Sequence, residues 1–307
     1  MMRSQFNFIG RLFCIVILLT NTTKSQAQED IFLEEDFITN AFNYGQLVNI
    51  QTTETVPKGA FELRIQHRFG ELDVTRFKES VIDEFLGFDG SANIRFGFSF
   101  GVSSNFQIGI GRTKIDKVFD VEGKYNLLRQ KEGDGSPVAL TLYFNTAVST
   151  RSFPEVGPNE FFDDLITPFV YKFSHRFTYN GQILISKKIG ENLAFQLNPT
   201  ILYKNLVPPG GKNLIFAASL GGRIKTGITS SILFELTKKF NNRTNNYTDP
   251  IALGYEIGTA GHAFQMFITT SNQIIEQGIY FSQPLDYTDG KILLGFNLKR
   301  TFWNGKN

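Results

Sequence analysis

Cysteine is almost missing from this 307-residue chain: there is one, Cys14. A single thiol excludes a disulfide-stapled scaffold and any cysteine-built zinc centre. An excess of either charge is missing too, with 31 Lys and Arg against 29 Asp and Glu. That balance excludes a basic nucleic-acid binder and an acidic disordered tail, so no nucleic-acid partner is expected. Long apolar runs are absent after residue 20, and the run Leu12 to Thr20 is too short for a helix to cross a bilayer, which takes roughly 20 residues. What the chain has in quantity is aromatic and small: 32 Phe, 10 Tyr and 28 Gly.

The first 27 residues have the layout of a secretory signal peptide. Arg3 and Arg11 give a positive start, Leu12 to Thr20 an apolar middle, and Ser25-Gln26-Ala27 small residues where a signal peptidase reads. Phe13 stands where lipidation of Cys14 would need a small residue, so no lipoprotein is expected. Cleavage after Ala27 removes Arg3, Arg11 and Lys24, and leaves 28 basic against 29 acidic residues and no cysteine.

From residue 60 the dominant period is two. In Phe61-Glu62-Leu63-Arg64-Ile65-Gln66-His67-Arg68-Phe69 the even positions are all polar, and the odd ones are apolar apart from His67. A helix would scatter those charges, whereas a strand collects them on one face. The same rule predicts twelve strands, over 60–69, 91–102, 105–113, 117–128, 137–149, 170–188, 191–206, 213–224, 227–239, 251–260, 262–271 and 290–302. Most reach the roughly 9–11 residues of a tilted transmembrane strand, longer than the usual soluble strand of about 5–6. Long and short connections alternate, as in barrels with turns on one rim and loops on the other. The exceptions are the tight turn 114–116 and the longer segment 129–136.

The expected fold is therefore all-β: a transmembrane antiparallel up-and-down β-barrel of about 12 strands. The expected organisation is a signal peptide over 1–27, a periplasmic N-terminal segment over 28–59, the barrel over 60–303 and a tail over 304–307. The address is the cell outer membrane, with its lipid as a partner. Aromatics near strand ends, such as Phe69, Phe100, Tyr125, Phe169, Tyr171, Tyr203, Phe302 and Trp303, suit interfacial girdles. Residues 28–59 have mixed polarity and read either as a loose tail or as a lead-in packed in the barrel mouth. A lipocalin-like soluble barrel would need fewer strands and an apolar interior.

The chain resembles an uncharacterised Gram-negative outer-membrane β-barrel family defined as a domain of unknown function. The resemblance rests on Glu54-Thr55-Val56-Pro57-Lys58-Gly59 leading into Glu62 to Gly70, on Ala92 to Gly97 and on Ile108 to Arg112. Lys124 to Gln130 and Lys204-Asn205-Leu206-Val207 add to it. It spans roughly 37–302 and implies a barrel in the outer membrane; it implies no activity and assigns no functional residue.

In a closed barrel the polar faces point inward. Arg64, Arg68 and Arg95, with Glu62, Glu122 and Lys124, are the lumen and constriction candidates. Asn93, Asn126, Gln196, Asn198, Lys204, Arg223 and Glu235 share those faces. Mixed signs fit either an interior packed by paired charges or a narrow water-filled path for a small polar solute. No catalytic residue, metal site or cofactor is expected. His67 and His175 repeat a His-Arg-Phe triplet, but Ser174 beside His175 would point to the opposite face of a strand. Asp163-Asp164 and Asp286 with Asp289 are loop carboxylates, for which weak Ca²⁺ binding is the rarer role. Gly109-Ile110-Gly111 and Pro208 to Asn213 lack the spacing of nucleotide-binding loops.

The leading expectation is a non-enzymatic barrel that passes small solutes or is largely plugged. The alternatives are an outer-membrane lipid hydrolase or acyl-modifying enzyme using His67 or His175, and a structural barrel docking an envelope protein of unknown identity through 28–59, 150–169 or 272–289.

Overall fold

A computed structural model describes residues 41–303 apart from 133–134, 158–159, 163–165, 244–246 and 260. The expected signal peptide, the start of the N-terminal segment, the tail 304–307 and the Asp163-Asp164 pair lie outside the described residues.

Among the described residues twelve strands form one closed antiparallel barrel. They are β1 (Phe61–Asp73), β2 (Asn93–Gly101), β3 (Phe106–Thr113), β4 (Val118–Leu128), β5 (Ala139–Ser149) and β6 (Phe177–Ile189). The circuit continues with β7 (Leu193–Lys204), β8 (Leu214–Lys225), β9 (Ser230–Lys239), β10 (Ile251–Gly258), β11 (His262–Thr269) and β12 (Lys291–Phe302). Each strand pairs with its sequence neighbours, and β1 closes the ring by pairing with β12, Phe61 opposite Phe302 and Leu72 opposite Ile292. Closure leaves no strand edge, so the ladder groups pair around the ring without water, with breaks between Arg68 and Glu71 and beside Pro199.

The period of two sets the two faces. On β1, Glu62, Arg64, Gln66 and Arg68 are buried inside, while the intervening side chains face outward. On the outer wall Ile110, Val121 and Met266 are about three-fifths exposed, and they belong to a band that also includes Phe96, Phe98, Leu253 and Tyr255. An apolar surface of that extent marks a lipid contact rather than a water contact. At the rim where β1 begins, Phe61 stacks on Phe98 and meets Phe302, with Trp303 beside them in sequence. At the far rim Phe69 stacks on Phe88 of the first loop.

Far-rim connections are long (74–92, 150–176, 205–213, 240–250, 270–290) except 114–117, and those at the other rim are short except 129–138. One strand starts later than its alternation suggests. The pattern runs back to 170, yet Phe173–Arg176 is a 3₁₀ turn. The His175 amide donates to the Lys172 carbonyl and the His175 ring accepts from the Lys172 amide, which closes a local turn ahead of β6.

Candidate functional site

The inner wall carries its charges in two ways. On β1 to β5 they pair with one another. Arg64 bonds Glu122 and Ser99 and lies 3.6 Å from Glu62. Arg95 makes a two-pronged contact with Asp120 at 2.6 and 3.2 Å and donates to Gln66 at 3.1 Å. Tyr143 and Asn145 donate to Glu122 and Asp120 in turn. Such a bidentate, multiply hydrogen-bonded arrangement is what allows charges to be buried at all.

Most of the remaining charges reach inward to the segment 41–56, which lies inside the barrel. This segment turns back on itself as a tight hairpin, with Gln46 bridging Gln51 and Leu47 donating to the Ile50 carbonyl. Lys124 donates to the carbonyls of Gly45, Thr52 and Glu54, and Lys299 to that of Gln46. Arg68 and Asn297 hold the Val48 carbonyl, and Gln196 and Asn198 hold that of Gln51. Glu235 supplies the opposite polarity: it accepts from the Asn49 amide at 2.8 Å, the Asn49 side chain at 2.9 Å and the Ile50 amide at 3.2 Å. The candidates Arg64, Arg68, Arg95, Glu62, Glu122 and Lys124 are all buried in the lumen around this hairpin.

The hairpin also has an apolar side. Phe42, Leu47, Val48 and Ile50 pack with Ala194, Leu233, Ala252 and Phe267 of the wall. Two glycines make the room. A β-carbon at Gly221 would stand 2.6 Å from Ile50 Cδ1, and one at Gly254 would stand 3.1 Å from Val48 Cγ2.

From the far rim the connection 270–290 folds down into the same lumen. Its short helix α1 (Glu276–Phe281) buries Glu276, Gln277, Ile279 and Tyr280. Gln277 donates to Asn145, the Tyr280 hydroxyl meets Ser219 at 2.8 Å, and Lys239 donates to the Tyr280 carbonyl. Tyr280 and Phe281 pack on Leu202, Ile215 and Ala217. Burial pushes the Glu276 carboxyl up to about 7, with Glu122 adding in the same direction and the Gln51 side chain opposing it. The two inserted segments thus approach each other at Glu276 and Gln51.

The β6–β7 side of the lumen is lined by amides. Among the described residues neither amide atom of Asn180 has a partner, nor do the carbonyl oxygens of Gln182, Gln196 and Asn198. Gln196 and Asn198 are readable from alternation. The inserted hairpin and helix are not named by any strand pattern, but apolar Leu233 and Phe267 on largely polar inward faces are a signal of the hairpin.

The histidines sit elsewhere. His67 is on the outer wall, stacked on Phe296 and against Phe69. His175 lies in its turn between Phe162 and Phe169. Asp286 caps its own turn through Thr288. Among the described residues no three His, Cys, Asp or Glu side chains gather as metal ligands.

The NanC porin superposes with a TM-score of 0.46 at 10% identity, over 80% of this chain and 99% of that one. The KdgM porin gives 0.46 at 8% identity, over 79% and 99%. A Rhodopseudomonas blastica porin variant gives 0.31 at 9% identity, over 68% and 55%. No curated protein matches in sequence. The profile of one family matches residues 42–302, nearly the whole described chain, and the protein belongs to that family, the membrane-bound β-barrel domain DUF5777.

Proposed function

We propose that this protein is a non-enzymatic outer-membrane channel for a small polar solute, exported by residues 1–27 and closed at rest by its own chain. The rim that carries the N-terminal segment faces the periplasm, and the rim of long loops faces outward. Residues 41–56 close the lumen from below and 271–281 from above. Arg64, Arg68 and Arg95, with Glu62, Glu122 and Lys124, form the constriction around the hairpin.

The observation that carries this reading is how the hairpin is fastened. Among the described residues its fastenings to the wall are side-chain hydrogen bonds and apolar contacts, with no backbone ladder between 41–56 and a strand. Water can replace each polar fastening, so the hairpin can leave while the barrel ladder stays whole. The amide strip of Asn180, Gln182, Gln196 and Asn198 then offers an uncharged polar track, suited to a hydroxylated solute. Residues 28–59 are accordingly one functional unit, a periplasmic lead-in ending in a plug, and 60–303 the barrel.

The test is liposome swelling with neutral sugars of increasing size. Vesicles carrying the protein without residues 28–56 are expected to swell with small sugars faster than vesicles carrying the full mature chain. Equal rates at every size would count against the plug.

A further inference from the structure

The turn between β3 and β4 is the one short connection on the far rim, set between the long loops 74–92 and 150–176. Asp116 and Lys117 both adopt left-handed backbone there, φ 55° and 48°, an unusual conformation for residues with side chains. The turn is pinned to its neighbour: Ser149 donates to the Asp116 carbonyl, and the Thr150 amide and hydroxyl both donate to the Lys117 carbonyl. Arg176 in turn donates to the carbonyls of Ser149 and Arg151 and lies 3.8 Å over the Phe153 ring.

This scaffold collects cations. Arg112 is on the outer wall, its guanidinium 4.7 Å over the exposed ring of Phe119. Lys114, Lys117, Arg151 and Arg176 stand on the turn and the adjoining loop, Lys114 donating to the Ala92 carbonyl. Among the described residues, Asp116, 3.4 Å from Arg151, is the one carboxylate in an ion pair with any of these five cations. Two strands away on β1, Glu71 and Asp73 are engaged by Lys291 and Arg76. The low rim leaves the site open sideways toward lipid. Beside it Phe88 stacks on outward-facing Phe69 at 4.1 Å, so the first loop bends down over the outer wall with Phe77 and Phe85 exposed.

We propose that this notch binds the phosphate of a phosphorylated lipid of the outer leaflet, its acyl chains lying along the β3–β4 wall and its phosphate among Arg112, Lys117, Arg151 and Arg176. Arg112 and Arg176 spend one nitrogen each on backbone carbonyls, that of Thr113 and those of Ser149 and Arg151, which fixes their planes and leaves the other guanidinium N–H groups for phosphate oxygens. The charge lies at the level where the apolar wall ends, which is where a headgroup phosphate sits. The proposal rests on the membrane orientation given above.

The test uses the full mature chain refolded in detergent and read by native mass spectrometry. The probes are bis-phosphorylated lipid A, phosphatidylethanolamine and inorganic phosphate, and the variants are R112Q/K117Q and R112Q/K117Q/R151Q/R176Q. A heat-modifiable gel band checks that each is folded. The wild type is expected to retain lipid A about tenfold better than phosphatidylethanolamine, the double variant to lose most of that preference and the quadruple variant all of it. Equal retention of the two lipids, or an undiminished preference in folded variants, overturns the proposal. Inorganic phosphate displacing lipid A at matched concentration overturns the lipid as the source. A wild type without a heat-modifiable band would instead fail the barrel reading itself.

Discussion

Replacing Glu235 with Ala isolates the grip of the wall on the inserted hairpin. Glu235 is buried on β9 and accepts from the Asn49 amide, the Asn49 side chain and the Ile50 amide at 2.8–3.2 Å. Hydrogen bonds to a charged group contribute about 1.5–3 kcal/mol each, and a buried donor left without a partner costs about 1–3 kcal/mol. Removing the carboxylate also removes its own desolvation cost, and water fills part of the space, so a net loss of about 3 kcal/mol in hairpin seating is a fair figure. At 1.4 kcal/mol per factor of ten, the unseated fraction rises roughly 100-fold. Single-channel recording of refolded protein reads this as open probability at fixed voltage. In a chain without residues 28–56 the same substitution has no hairpin to release and changes nothing, which closes a double-mutant cycle. An open probability unchanged by Glu235→Ala in the full chain, or raised equally in the shortened one, would refute the reasoning.

Three further outcomes follow from the same geometry. Gly221→Leu puts side-chain atoms where Ile50 and Leu47 now lie, and overpacking of about 1–3 kcal/mol should raise conductance and expose 41–56 to protease while the barrel still runs as folded. Glu276 is held protonated by burial, up to about 7, so its contribution to seating α1 is complete below about 4.5 and is lost as pH rises through about 7. Open probability should therefore climb between pH 5 and 8 by electrical recording, and Glu276→Gln should flatten the climb. Tyr280→Phe removes the 2.8 Å bond to Ser219, about 1 kcal/mol, and hydrogen exchange should quicken over 271–281 with the strands unaffected.

The strands were legible because a barrel wall has one face in lipid and one in a polar lumen, and that contrast is written with period two in Phe61 to Phe69 and its counterparts. The exception, 170–176, alternates in composition yet closes a turn through His175 and Lys172, a local hydrogen bond that alternation does not encode. The inserted hairpin was not legible as such. Its fastenings are side chains reaching backbone carbonyls and amides, and any residue supplies those groups, so Gln46 to Thr52 carries no pattern. The imprint lies on the wall instead. Leu233 and Phe267 occupy inward positions flanked by Glu235 and Gln265, and Gly221 and Gly254 leave bays opposite Leu47, Ile50 and Val48. Arg64, Arg68, Arg95, Glu62, Glu122 and Lys124 could be placed in the lumen from the sequence, because the register fixes their side. Their division between wall pairs and hairpin contacts depends on where 41–56 lies, which only the fold supplies.

The central claim, that the N-terminal hairpin closes the lumen, is tested most directly by tethering it. Thr53 and Ser186 meet at 2.6 Å between their hydroxyl oxygens, one on the inserted segment and the other on β6. A chain beginning at residue 28 has no cysteine of its own, so Thr53→Cys with Ser186→Cys introduces one defined pair. The account predicts that the oxidised protein is silent in a planar bilayer under voltage and conducts after reductant is added. Conductance that is the same before and after reduction, with the disulfide formed, would contradict it.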